Sequence, residues 1–130
     1  MINSNIYNYV DVLDLAADAA NTRQQLLTNN IANVSTAHYK RKDVSFEGIL
    51  QSAMYGKQSL DSKVKYVNDN REDYQPLMYT DNVDLSYRED GNNVDINTEE
   101  AYLAENTIRY NALIDQMNQE FSRMKMAITK

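Results

Sequence analysis

Few side chains in this sequence could carry acid–base or metal chemistry. His38 is the only histidine, and cysteine is absent, which excludes disulfides and thiolate metal sites. A catalytic histidine needs a second group that orients it or exchanges a proton with it, and the sequence indicates none for His38. We therefore expect no catalytic residue, no metal and no cofactor in this protein.

Two short runs of charge, Arg71–Asp73 and Arg88–Asp90, could suggest cation binding. A calcium-binding loop of the EF-hand type needs glycine at its sixth position and oxygen ligands at its first and third. With Gly91 in the sixth position, the first and third positions fall on Ser86 and Arg88, and the pattern fails. Glycine occurs only three times, and the sequence contains no phosphate-binding loop, dinucleotide-binding pattern or nucleophile elbow. The charged runs are better interpreted as solvated surface.

The bulk composition is that of one small acidic domain. The chain has 130 residues, 42% of them hydrophobic and 25% charged, with a formal net charge of −6. Nucleic-acid binding needs clustered lysine and arginine, and the densest cluster here is the short run Lys40–Lys42. The sequence has no apolar run of about 18 residues and no evident cleavable signal peptide. We expect neither nucleic-acid binding nor direct membrane insertion.

Two long amphipathic helices are predicted at the ends of the chain. Apolar residues recur every three or four positions over residues 5–33 and 98–128, and neither segment contains glycine or proline. The two apolar seams consist of Ile6, Tyr9, Leu13, Ala16, Ala20, Leu27 and Val34, and of Leu103, Tyr110, Leu113, Met117, Met124 and Ile128. Asn97 is the predicted N-cap of the second helix, with Glu100 as its capping-box partner.

Between these helices, the pattern changes to short elements and polar connections. Residues 46–54 are predicted to form a short helix, and residues 56–76 a flexible linker with at most one weak strand at 64–67. Alternating apolar residues at 83–87 and 94–96, separated by a turn containing Asp-Gly, predict a β-hairpin.

The predicted fold class is therefore mainly α. Burial of one leucine, isoleucine or methionine side chain is worth roughly 1.5–3 kcal/mol, so the two seams should pair as a coiled-coil-like layer. The chain divides into an N-terminal assembly helix (1–36), a central region with the short helix, linker and hairpin (37–97), and a C-terminal assembly helix (98–130). The helices could pair within one chain, but the seams rich in alanine, asparagine and methionine, and a middle region too small to anchor both helices, favour pairing between neighbouring subunits.

An asparagine-rich segment after the first helix carries a specific resemblance. It reads Asn29–Asn33, then Thr36, then Tyr39–Lys40, and this spelling resembles that of flagellar rod and hook proteins. A C-terminal pattern extends the resemblance to the flagellar basal-body rod family through Gly91-Asn92-x-Val94-Asp95, Glu99-Glu100, Asn106, Arg109-Tyr110, Phe121, Met124 and Ala127-Ile128. The family usually has Pro-Gly between the threonine and the tyrosine, where this chain has Ala37-His38.

The resemblance implies a structural protein of the bacterial flagellum basal body, not an enzyme. Such proteins pass unfolded through the flagellar type III export gate and polymerise into the rod, which carries torque to the hook. Implied partners are further copies of the chain, other flagellar rod subunits, and the export-gate or basal-body adaptor that seats the rod. The residues expected to serve assembly are Leu13, Ala20, Leu27, Asn30, Ile31, Asn33, Thr36, Tyr39, Lys40, Leu103, Tyr110, Leu113, Met117, Met124 and Ile128.

An alternative hypothesis is a helical-hairpin adaptor or secreted binding module. Such a protein would bind its partner through a face bearing methionine and tyrosine, without joining a filament. It predicts a folded monomer or dimer whose terminal helices are ordered before any partner binds.

Overall fold

The computed structural model describes residues 5–55, 59–81 and 88–129. The chain is mainly helical, as predicted, with a small antiparallel sheet in its middle. In chain order the elements are α1 (Asn5–Ala32), β1 (Lys42–Ser45), α2 (Glu47–Met54), α3 (Leu60–Asp69), a 3-10 turn (Arg71–Tyr74), β2 (Leu77–Thr80) and α4 (Ile96–Ile128). No helix in the described ranges is long and apolar enough to cross a membrane.

The two terminal helices form the most extensive contact between elements. α1 has 28 residues and α4 has 33, so they are about 42 and 50 Å long at ~1.5 Å per residue. They run antiparallel, because Glu99 near the start of α4 meets Asn30 near the end of α1, and Asn106 meets Ala20 further along. The predicted pairing of the terminal helices is thus confirmed, within a single chain.

The N-cap of α4 is Asp95 and not the predicted Asn97. The Asp95 carboxylate accepts hydrogen bonds from the Asn97 amide at 3.0 Å and from the Thr98 hydroxyl at 3.2 Å. A carboxylate at this position satisfies two donors and also favours the positive end of the helix dipole, so the helix begins two residues earlier than predicted.

The small hydrophobic core lies against α1. Leu15 and Ala19 of α1 pack with Phe46, which precedes α2, and with Val67 of α3. Three polar contacts fix α3 and the 3-10 turn after it along α1: Tyr9 to Asp61 at 2.6 Å, Asn68 to Asn8 at 3.1 Å, and Arg71 to Asp14 at 2.8 Å. α1 is therefore the central helix of the fold.

The predicted weak strand at 64–67 is wrong, and a large part of the segment predicted as a flexible linker at 56–76 is helical. Residues 60–69 form α3, and the side chain of Ser59 caps it by accepting a hydrogen bond from the Ser62 amide. Val64 and Val67 are both buried. Their spacing of three residues places them on one helix face, whereas strand alternation would place them on opposite faces.

The observed sheet also differs from the predicted hairpin. β1 pairs with β2, from Lys42 opposite Thr80 to Ser45 opposite Leu77. The first predicted strand, 83–87, lies outside the described residues, and the predicted return strand is wrong because Val94 is irregular and Ile96 begins α4. The turn before it is present, with the Gly91 amide donating to the Arg88 carbonyl at 3.1 Å.

Candidate functional site

The asparagine-rich segment forms a buried junction between the end of α1, the start of β1 and the start of α4. Asn30 is fully buried and pairs with the backbone of Lys42 in both directions. Its amide nitrogen donates to the Lys42 carbonyl at 2.8 Å, and its amide oxygen accepts from the Lys42 amide at 3.0 Å. The Tyr39 hydroxyl donates to the same oxygen at 3.1 Å, and the Asn30 nitrogen also donates to Glu99. One side chain thus fixes the position of three segments.

A second buried asparagine, Asn92, fastens the loop that follows α1. Its amide nitrogen lies 2.9–3.1 Å from the carbonyl oxygens of Asn33, Val34 and Thr36. Its amide oxygen accepts from the Val94 backbone at 2.7 Å, just before α4 begins. These carbonyls lie just beyond the end of α1, so Asn92 ties the chain that leaves α1 to the segment that precedes α4.

The neighbouring Asn93 joins the segment before α4 to the residues that flank the two-stranded sheet. Its amide oxygen accepts from the Arg41 backbone at 2.7 Å, and its nitrogen donates to the Asp81 carbonyl at 2.9 Å. The Asn92 side chain therefore takes the Val94 amide, which the predicted return strand at 94–96 would have used in its ladder.

The loop keeps a left-handed residue where the resemblance leads us to expect glycine. His38 has φ of 59°, and its amide donates to the Asp90 carbonyl at 2.9 Å. Gly91 faces it with φ of 75°, and a Cβ atom at Gly91 would lie 2.7 Å from the His38 Nδ1 atom. Only glycine fits at position 91, because any side chain would both strain the backbone and collide with His38.

A charge cluster completes the junction. The Arg41 guanidinium pairs with Glu99, with Asp43 at 2.7 Å and with Asp81 at 3.2 Å. Arg23 of α1 donates to Asp43 at 3.0 Å. The guanidinium carbons of Arg23 and Arg41 also lie 5.6 and 5.4 Å from the centre of the Tyr102 ring, within range for cation–π attraction.

Hydrogen bonds within the cluster keep Arg41 and Asp43 charged although both are partly buried. Burial alone would lower the pKa of Arg41, but hydrogen bonds to Glu99 and Asp43 outweigh it and raise that pKa. Burial would likewise raise the pKa of Asp43, yet hydrogen bonds from Arg23 and Arg41 hold it below its ordinary value. Burial and the negative charge of Glu99 raise the pKa of Tyr39. None of these shifts produces a group that is ready to exchange protons near neutral pH.

The predicted assembly residues are brought together only in part. Ala20, Leu27, Asn30 and Met124 are buried within the chain. Leu13, Ile31, Asn33, Tyr39, Lys40, Leu103, Leu113 and Met117 are half-buried, and Thr36, Tyr110 and Ile128 are exposed. The chain alone therefore covers only part of the predicted seam and leaves Thr36, Tyr110 and Ile128 exposed.

Sequence reasoning missed the charged half of the junction. Arg23, Arg41 and Asp43 were not expected to act together, because they lie on α1, in the loop and on β1. Asn92, Glu99 and Asn106 did occur in the C-terminal pattern of the resemblance, which was the available signal. In the described ranges, no group of three or more histidine, cysteine or acidic residues could hold a metal ion.

The fold and this site define a structural protein of the helical-hairpin type. No protein-family model matches the chain. Curated proteins do match it over most of its length, among them several described as flagellar basal body rod protein FlgB. The match from Bacillus subtilis (strain 168) is 35% identical and covers 90% of each chain. The one from Borrelia hermsii is 32% identical over 94% of this chain and 91% of its own. The chain therefore belongs to the FlgB family of flagellar basal-body rod proteins. It is a structural subunit of the flagellar basal body.

Proposed function

We propose that this chain is a proximal rod subunit that the flagellar type III system exports and that polymerises through its terminal helices to transmit torque. Its partners are further copies of itself, other flagellar rod subunits and the export-gate or basal-body adaptor. The description shared by its relatives supports membership of a rod assembly. The absence of cysteine suits a chain that is exported unfolded, because no disulfide can form on the way.

The observation that carries the proposal is the apolar surface that α4 leaves uncovered. Phe121 is 50% exposed and Ile128 is 64% exposed, and their spacing of seven residues places them on one face of α4, whereas the exposed Ile108 and Met126 lie on the opposite face. A helix that keeps these side chains in water gains free energy when a neighbouring subunit covers them. A rod subunit needs such a surface, because each copy must contact others in the finished assembly.

The predicted assembly residues then divide by role. We propose that the exposed Tyr110 and Ile128 and the half-buried Leu113 and Met117 contact neighbouring subunits. The buried residues of the α1–α4 interface, such as Leu27 and Asn30, position the two helices for those contacts. Contacts between unlike surfaces of successive copies extend as a helical assembly and do not close into a ring of two.

The test substitutes one exposed apolar residue in the bacterium from which the chain comes. Ile128→Asp should abolish swimming and remove the chain from purified basal bodies, because a buried carboxylate at a subunit contact is costly. Gln119→Asp is the matched control on the same helix, since Gln119 is exposed and already polar. Swimming at the normal rate with Ile128→Asp, and the variant present in basal bodies, would refute the assembly role of this surface.

A further inference from the structure

Asp90 and Gly91 form the one Asp-Gly pair in the sequence. Aspartate isomerisation begins when the backbone nitrogen of the following residue attacks the carboxyl carbon of the aspartate side chain. Glycine has no Cβ atom, so nothing shields its nitrogen, and its backbone reaches the required conformations freely. Position 90 therefore holds the aspartate that the sequence makes most prone to this reaction.

The reaction needs no oxidant, reductant or enzyme. The Gly91 nitrogen bonds to the Asp90 Cγ atom, and the hydroxyl of the carboxyl group leaves with the proton of that nitrogen as water. The product is a cyclic succinimide, which water opens at either of its two carbonyl carbons. Attack at Cγ restores aspartate. Attack at the main-chain carbonyl carbon breaks its bond to nitrogen and leaves isoaspartate, in which the chain runs through the side chain of residue 90.

In the folded chain, hydrogen bonds hold both reacting groups. One oxygen of the Asp90 carboxylate accepts from the Asn92 amide at 3.1 Å, and the other pairs with Arg88 at 2.8 Å. The Gly91 amide donates to the Arg88 carbonyl at 3.1 Å. Asp90 is only half-buried, so water reaches it. The fold therefore opposes the reaction through geometry and not by excluding water.

The backbone of this turn is held as well. The Asp90 carbonyl accepts from the His38 amide at 2.9 Å, and Gly91 lies against the His38 ring with φ of 75°. Cyclisation requires rotation about the bond between Cα and the carbonyl carbon of Asp90, which would pull that carbonyl away from His38. The turn must therefore open first, and the reaction slows in proportion to the fraction of molecules in which it is open.

Isoaspartate at position 90 does not fit the junction. It lengthens the backbone by one CH₂ group, and the carbonyl that accepts from His38 becomes part of a free carboxylate. The displaced neighbour is Asn92, which is 0% exposed and whose amide nitrogen binds the carbonyls of Asn33 and Thr36. Moving Asn92 leaves buried polar groups without partners, which costs free energy.

We propose that Asp90 is a site of spontaneous isomerisation in the unfolded chain, that the folded junction suppresses the reaction, and that an isomerised chain can no longer close the junction. This inference goes beyond rod assembly, because it concerns the folding of the chain itself. For a chain that is exported unfolded, the reaction limits how long it can wait before it folds.

The rate of isomerisation is measured on the full-length protein at neutral pH, folded in buffer or unfolded in guanidinium chloride. Electron-transfer fragmentation of the peptides locates isoaspartate, because the reaction does not change the mass. In the unfolded chain, isoaspartate should form at Asp90 at least about tenfold faster than at Asp11, where the branched side chain of Val12 shields the attacking nitrogen. Folding should slow the reaction at Asp90 at least about tenfold.

Refolding of the aged chains measures the consequence. After incubation in guanidinium chloride, the protein is diluted into buffer and the folded fraction is separated by size-exclusion chromatography. Isoaspartate at position 90 should be depleted several-fold in the folded fraction relative to the total. Asp90→Glu is the matched control, since glutamate keeps the charge but would have to close a larger ring, which forms far more slowly. Ageing should lower the refolding yield of the unsubstituted chain and leave that of Asp90→Glu equal to the yield of its own unaged sample.

Three results would each overturn the proposal. Equal rates at Asp90 in the folded and unfolded chain would mean that the turn does not protect it. Equal rates at Asp90 and Asp11 in the unfolded chain would mean that position 90 is not the reactive site. Isoaspartate at the same level in the folded fraction as in the total would mean that the junction accepts it. The rod function is decided separately, by the swimming test of Ile128→Asp.

Discussion

Glu99→Gln should be among the most destabilising single substitutions at the junction. Glu99 is 1% exposed, and its carboxylate accepts from the Arg41 guanidinium and, at 2.9 Å, from the Asn30 amide. Glutamine keeps the size of the side chain but removes the charge. It also replaces one carboxylate oxygen by an NH₂ group, so one of the two donors, Arg41 or Asn30, loses its acceptor while the remaining oxygen accepts from the other.

The size of the stability loss depends on the acidic partners that Arg41 retains. Removing one partner of a buried ion pair typically costs about 3–5 kcal/mol. Arg41 retains Asp43 at 2.7 Å and Asp81 at 3.2 Å, so we expect the lower end, about 3 kcal/mol. At roughly 4 °C per kcal/mol for a chain of this size, the melting temperature should fall by about 10 °C.

Urea unfolding followed by helical circular dichroism measures this difference directly. Glu100→Gln is the matched control, because Glu100 is the next residue, carries the same charge and is exposed. Its effect should stay within about 0.5 kcal/mol, as for most surface substitutions. If Glu99→Gln costs less than about 1 kcal/mol, or no more than Glu100→Gln, the junction does not stabilise the fold through this carboxylate.

Two further predictions concern the same junction. Because the pKa of Asp43 is lowered in the folded state, its contribution to stability should be complete above the ordinary carboxyl pKa of about 3.9 and be lost as pH falls through the folded value. Urea midpoints from pH 3 to 7 should show this loss, and Asp43→Asn should flatten it; an unchanged profile would exclude Asp43 as its source. Gly91→Ala should destabilise by about 1–3 kcal/mol, since the backbone is left-handed and the new Cβ would meet His38. His38→Gly should stabilise the fold by about 1 kcal/mol, because glycine adopts the left-handed backbone without strain. It should also reduce the cost of Gly91→Ala, because the His38 ring is then absent. If the effects of the two substitutions on the free energy of unfolding simply add in the double variant, the alanine Cβ does not collide with His38.

The long helices could be predicted from the sequence because their signal is repeated many times. Seams such as Leu13 to Leu27 recur at helical spacing over about eight turns, so no single residue decides the outcome. The middle of the chain has too few residues per element for such a signal. Val64 and Val67 are compatible with a strand by residue type, and only the presence of α1 beside them selects the helix.

The junction could be predicted only as a pattern of residue types. The resemblance marked Asn30 and Asn92 without saying what they bind, because the partners that they join across the fold lie up to 69 positions away along the chain. The Arg41 cluster has no sequence signal of its own. Its members are separated in the sequence and come together only after α1, β1 and α4 have packed.

The two ends of the helical pair differ in how they are held, and this difference favours directional assembly. At the junction, Asn30, Arg41 and Glu99 are satisfied by partners in the same chain, so this end gains little from a neighbour. Toward the other end, Tyr7, Phe121 and Ile128 are each at least half exposed, so burial there gains free energy only through contact with another molecule. Removing the partner of a buried polar group costs much free energy, whereas apolar contacts tolerate small changes in how the surfaces pack. A subunit built in this way can keep its internal geometry fixed at the junction, and we propose that its open end contacts a neighbouring subunit of the rod.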